Sequence, residues 1–203
     1  MERVSRKNGV WSGQAGFTLV ELLVVISIIG MLAGLMSVAI PKAMEAGKKA
    51  KVKGELTAIV AAVKAYKQEY GRFPSSATAS DDEHLYATYC TSQSKFSIQP
   101  YGPTKDLISI LSGNNLNNLN PKQVRFLEAT GASTTFVWLD PWGKEYCVMF
   151  DTNEDGGVEY WGSGNWQDPN IRMSVIALSA GPNKIVEASA VNSSKCDDIF
   201  SWR

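Results

Sequence analysis

The strongest constraint in this chain is an apolar run that begins at residue 17. Residues 17–40 read FTLVELLVVISIIGMLAGLMSVAI, and Glu21 is the only charged side chain among them. As a helix the run extends roughly 36 Å, enough to cross the hydrocarbon core of a bilayer with some tilt. A cleaved secretory signal is the competing reading, because Arg3, Arg6 and Lys7 precede the run and Ser37-Val38-Ala39 faintly resembles a signal-peptidase site. The run is longer than the ~7–15 residues of an ordinary signal core, and a carboxylate near its start is out of place there. A membrane-spanning helix is therefore expected.

Glu21 carries the most information. A charged side chain in a transmembrane helix costs on the order of 3 kcal/mol, so something must repay it. One reading sets Glu21 among the headgroups beside the polar residues before it. The other pairs it with a cation in an apolar environment. Gly30-x-x-x-Gly34, with Ala33 and Ser37, forms a small-residue face that lets helix backbones approach closely.

The helical pattern continues past the run. Val52, Leu56, Ile59, Val60, Val63, Tyr66 and Tyr70 recur at helical spacing and predict one amphipathic stripe. Gly71 and Pro74 close it. A helix from Phe17 to Tyr70 would be about 80 Å long, with Pro41 expected to kink it.

Residues 71–203 predict a water-soluble head of α+β class, in which a small antiparallel β-sheet packs on the amphipathic half of the long helix. Residues 75–103 read as a long connection, Leu107–Leu111 as a short helix and Asn120-Pro121 as the start of a helix over Pro121–Ala129. Strands are expected at Thr135–Leu139 and Glu145–Phe150 around Asp140-Pro141-Trp142-Gly143, a tetrad suited to a type I turn. Further strands are expected at Val158–Trp161 and Arg172–Ser179. Asp151, Asn153 and Asp155 followed by Gly156 have the D-x-N-x-D-G spacing that sets three oxygen side chains around a tight turn, as in the first half of a calcium loop. The full EF-hand would place Glu where Gly162 stands, with Glu159 near enough to compensate. The alternative is a plain acidic turn.

The 203 residues suffice for one domain plus an extra segment. Zero net charge argues against nucleic acid as a partner. Cys90, Cys147 and Cys196 form no CxxC pair, which leaves either one disulfide of open pairing or small buried apolar residues. The chain has no P-loop, GxSxG elbow or HExxH helix. His84, the sole histidine, sits in what reads as a surface loop, so no enzyme is expected.

Gly16-Phe17-Thr18-Leu19-Val20-Glu21-Leu22, after a short basic segment and before an apolar run, resembles the processing site of type IV prepilins and of type II secretion pseudopilins. The resemblance is strongest over residues 8–74. It implies that residues 1–16 are a leader cut after Gly16 by a prepilin peptidase, and that Phe17 is the methylated N-terminus. It also implies that Glu21 faces the Phe17 amine of a neighbouring subunit in a homo-oligomeric filament. Buried together, ammonium and carboxylate would satisfy one another and fix the axial stagger between subunits. The implied layout is leader 1–16, membrane and filament-core helix 17–40, amphipathic continuation 41–70 and periplasmic head 71–203, anchored in the bacterial inner membrane. Lys42, Lys48, Lys49, Lys51 and Lys53 oppose that topology by the positive-inside rule, so the cytoplasmic leader rests on the resemblance alone.

The DPWG hairpin resembles the major pseudopilin of type II secretion. So do Ser179-Ala180-Gly181-Pro182-Asn183 and the stretch from Asp197 to Trp202. The resemblance implies a calcium loop that uses Ser179, Asn183 (where the family usually has Asp) and Asp197 or Asp198. Three functions follow in order: a secretion pseudopilin, a type IV pilus pilin for adhesion, motility or DNA uptake, and a membrane-anchored calcium-dependent binding module that never polymerises. The first implies an inner-membrane assembly platform, a motor ATPase, minor pseudopilins and membrane lipid as partners.

Overall fold

The computed structural model describes residues 16–75, 84–86, 104–128, 137–152, 154, 156–161, 167–186 and 197–202. The chain divides into two units, Met1–Glu45 and Ala46–Arg203. One helix, α1 (Leu19–Tyr70), supplies the regular structure of the first and opens the second. Pro41 lies inside α1, and the helix continues on both sides of it.

In the first unit every residue from Gly16 to Met44 is exposed, and α1 is long and apolar enough there to cross a membrane. A surface this apolar is not stable in water and requires lipid or a partner.

In the second unit α1 buries Val52, Leu56, Ile59, Ala62, Val63 and Tyr66, while Val60 and Tyr70 lie half-buried at the margin. This is the expected stripe, widened by Ala62. It packs on a four-stranded antiparallel sheet of order β1-β2-β5-β6, formed by β1 (His84–Tyr86), β2 (Cys147–Phe150), β5 (Val175–Ser179) and β6 (Ile199–Phe200). At its centre β2 and β5 pair from Cys147 opposite Leu178 to Phe150 opposite Val175. The two-residue period then sorts the side chains. Val148, Phe150, Val175 and Ala177 join the core with α1, whereas Cys147, Met149, Ile176 and Leu178 join a second core with Val158, Val186 and Phe200. Both faces are covered, which is why these strands read as unbroken apolar runs.

A second sheet of two strands, β3 (Val158–Trp161) and β4 (Gln167–Ile171), stands apart from the first. Ahead of β2, the DPWG tetrad forms the expected turn: Gly143 N donates to Asp140 O at 2.9 Å, Asp140 N donates to Lys144 O at 2.7 Å, and Leu139 bridges to Glu145. Asp140 is buried, and its carboxylate accepts from the amides of Trp142 and Lys144 and from Ser179 Oγ at 2.7 Å, which ties the turn to β5. Cys147 is disulfide-bonded, so the reading of free apolar thiols fails for it.

Several expectations need correction. No helix forms over 121–128. The side chain of buried Asn120 takes over instead: its Oδ1 accepts from Val124 N at 3.0 Å and from Tyr70 OH at 2.6 Å, and its Nδ2 donates to Ile110 O and Val124 O at 2.8 Å each. Gln123 has a φ of 51°, which ends any helix there, and the amides of Phe126 and Leu127 donate to Leu111 O of α2 (Thr104–Leu111). Asparagine thus acts as a tertiary clasp where a cap was expected. Residues 75–103 contain β1, so His84 sits in a strand. Only Val175–Ser179 of the expected strand Arg172–Ser179 is extended into the sheet. Of the expected strand Thr135–Leu139, residues 135–136 lie outside the described residues, and Leu139 contributes a single bridge.

Replacing Asn120 with Ala should cost about 3 kcal/mol, because buried backbone groups at Ile110 and Val124 lose their partners. Thermal denaturation should show a fall of roughly 10 °C in Tm.

Candidate functional site

The N-terminal turn of α1 is built as a reciprocal cap. Thr18 precedes the helix, and its Oγ1 accepts from Glu21 N at 3.2 Å. Glu21 Oε2 reaches back and accepts from Thr18 N at 2.8 Å and from Thr18 Oγ1 at 2.8 Å. This is the T-x-x-E capping box, which satisfies amides that the first turn of a helix otherwise leaves bare. Glu21, singled out above for its cost in lipid, is therefore engaged within its own subunit. Sequence reasoning passed over Thr18, although its spacing to Glu21 carried the signal.

Gly16 and Phe17 lie just before this cap, exposed. A side chain grown at Gly30 or Gly34 would meet nothing within 4 Å. The small-residue face is open along the helix, as a surface awaiting another helix would be.

The two acidic loops lie in the head. Asp151 follows β2 and is buried; Asn153 and Asp155 lie outside the described residues. Glu154 is exposed and pairs with Lys67 at 2.8 Å. The hydrogen bond from Lys67, with its charge, holds the Glu154 carboxyl below the usual range, so this contact weakens as pH falls through that lowered value.

The C-terminal loop brings Asn183 and Asp197 together: Asn183 N donates to Asp197 Oδ2 at 2.9 Å, and Asn183 Oδ1 accepts from Ile185 N. Asp197 Oδ1 is buried and has no hydrogen-bond partner among the described residues. Gly181 (φ 64°) lets the chain pass so close that a Cβ there would stand 2.2 Å from Asp197 O. Ser179 Oγ is already used, donating to Asp140 and accepting from Gly181 N. Asp198 lies half-buried beside β6. Ser179 is committed to the turn, and of the expected set the fold brings Asn183 and Asp197 into contact.

Thr18→Ala should remove the reciprocal cap. In detergent micelles, amide exchange in the first turn of α1 should quicken roughly fivefold, the equivalent of an ordinary N-cap loss.

Residues 11–37 match the family model described as the prokaryotic N-terminal methylation motif. The chain is 42% identical over 66 residues to the type II secretion system core protein G of Pseudomonas aeruginosa. That match covers 31% of this chain and 44% of the relative, so the chain spans less than half the length of the curated protein it matches. No solved structure matches it. The chain thus carries a prokaryotic N-terminal methylation motif over the capped start of a long apolar helix, with an α+β head behind it, and over 66 residues it is similar to a type II secretion core protein.

Proposed function

We propose that this protein is the repeating subunit of a pilus-like filament of a type II secretion apparatus. A prepilin peptidase cuts after Gly16 and the new N-terminus at Phe17 is methylated. The subunit rests in the inner membrane through α1 with its head in the periplasm, until an assembly platform and a motor ATPase draw it into the filament. Minor pseudopilins share that filament. The observation that carries this reading is the N-terminal methylation motif lying over an exposed apolar segment, residues 17–40, whose single carboxylate is Glu21.

Glu21 has two partners in succession. In the lone subunit Thr18 holds it. In the filament it exchanges that contact for the Phe17 ammonium of a neighbour, which fixes the axial register, since a misplaced neighbour would leave two charges bare in an apolar core. Gly30 and Gly34 admit the approaching helix. The likeness to a type II secretion core protein favours this reading over a pilus pilin. The methylation motif favours it over an anchored binding module that never polymerises.

Calcium at the C-terminal loop belongs to the same reading. Asn183 and Asp197 would hold it, and its charge would neutralise the half-buried Asp197 carboxylate, whose Oδ1 is removed from water.

Mass spectrometry of the processed protein should give an N-terminus at methylated Phe17; a chain beginning elsewhere ends the reading. Glu21→Val should abolish filaments while the subunit still accumulates in the membrane, and normal filaments from that variant would refute the pairing. Chelation should lower the Tm of the wild type by several degrees and leave Asp197→Asn less affected.

A further inference from the structure

A second buried carboxylate in the head lacks a counterpart, and it lies away from the C-terminal loop. Asp151 follows the last residue of β2 and is 3% exposed. Its amide donates to Ser174 O at 3.0 Å, so its backbone is fixed by the segment leading into β5. Its Oδ2 accepts from Gly156 N at 3.2 Å, which turns the carboxylate into the loop that it opens. Its Oδ1 is buried and has no hydrogen-bond partner among the described residues. A lone carboxylate oxygen removed from water is costly unless a proton or a cation meets it. The ion pairs among the described residues do not supply one: Lys51 lies by Glu55, Lys122 by Glu69 and Lys67 by Glu154.

The sequence names the cation. Asp151, Asn153 and Asp155 are oxygen-bearing residues at the first, third and fifth positions of a D-x-N-x-D-G loop; the latter two lie outside the described residues. Gly156, at the sixth position, has a φ of 98°, the conformation for which such loops require glycine. Glu154, at the fourth position, is exposed and pairs with Lys67. We propose that the Asp151 carboxylate is a ligand of a calcium ion held by the 151–156 loop, separate from any cation at Asp197. Calcium is preferred to magnesium because a loop sequence that offers carboxylate, amide and backbone oxygens suits many-liganded, irregular coordination better than a strict octahedron. The ion would neutralise Asp151 and fasten the connection between β2 and β3.

The test uses the full chain in detergent micelles, stripped of calcium and titrated with calcium chloride in a calorimeter. In an Asp197→Asn background, which removes the C-terminal loop's carboxylate, one calcium should still bind with a Kd of about 10⁻⁵ to 10⁻³ M. Adding Asp151→Asn, which keeps the side-chain shape and its bond from Gly156, should weaken binding at least about tenfold. Adding Glu154→Gln instead should leave it unchanged. Should the Asp151 variant not fold, Asp155→Asn takes its place with the same expected loss. No binding in the Asp197→Asn background at millimolar calcium would overturn the proposal, as would unchanged binding in the folded Asp151→Asn or Asp155→Asn variant. Because binding is read on dispersed chains, failure of filament assembly would not affect the result.

Discussion

One helix must satisfy two environments, and the rest of the structure depends on how its surface is divided. Over Leu19–Met44, α1 offers a largely apolar surface and buries none of it. From Val52 to Tyr66 it offers a single stripe and buries all of it but Val60 at the margin. Its backbone bonds are satisfied internally in both regions, which is what lets one element serve lipid and a protein core alike. The head needs that stripe, because the inner face of its sheet, from Val148 to Ala177, has no other helix of comparable length among the described residues.

The same economy applies at the start of the helix. A carboxylate in an apolar segment is unfavourable, yet Glu21 has a use before any partner arrives, because it closes the first turn with Thr18. The proposed filament contact then competes with an existing one. Its net gain is the difference between a neighbour's ammonium and a local amide and hydroxyl, so assembly would be reversible more readily than an unpaired charge would suggest.

Buried polar groups in the head fall into two kinds. Asp140 and Asn120 are saturated: each accepts or donates several bonds that join distant segments, the turn to β5 in one case and the end of α1 to the segment after α2 in the other. Asp151 and Asp197 each keep a buried oxygen without a partner among the described residues. Saturated groups hold a fold together, whereas the orphaned carboxylate oxygens are where the proposed cations would sit.

The sequence by itself determined the apolar span, the lone Glu21, the amphipathic stripe, a strand within Glu145–Phe150, the strand Val158–Trp161 and the DPWG turn. Each is a local signal, set by hydrophobic period or by turn residues that need particular dihedrals. Thr18 was legible too, through its spacing to Glu21. Other features belonged to tertiary structure. β1 and β6 are three and two residues long, too short to show a period, and they exist because β2 and β5 offer edges to pair with. β4 carries Pro169, which argues against a strand until β3 lies beside it. The segment after Asn120 had every local mark of a helix start. It became a clasp because the groups its side chain binds, on Tyr70 and Ile110, are brought there only by the folded chain. That Asp151 and Asp197 each hold an oxygen away from water with no partner among the described residues could likewise not be read from composition, since burial is a property of what packs around a residue.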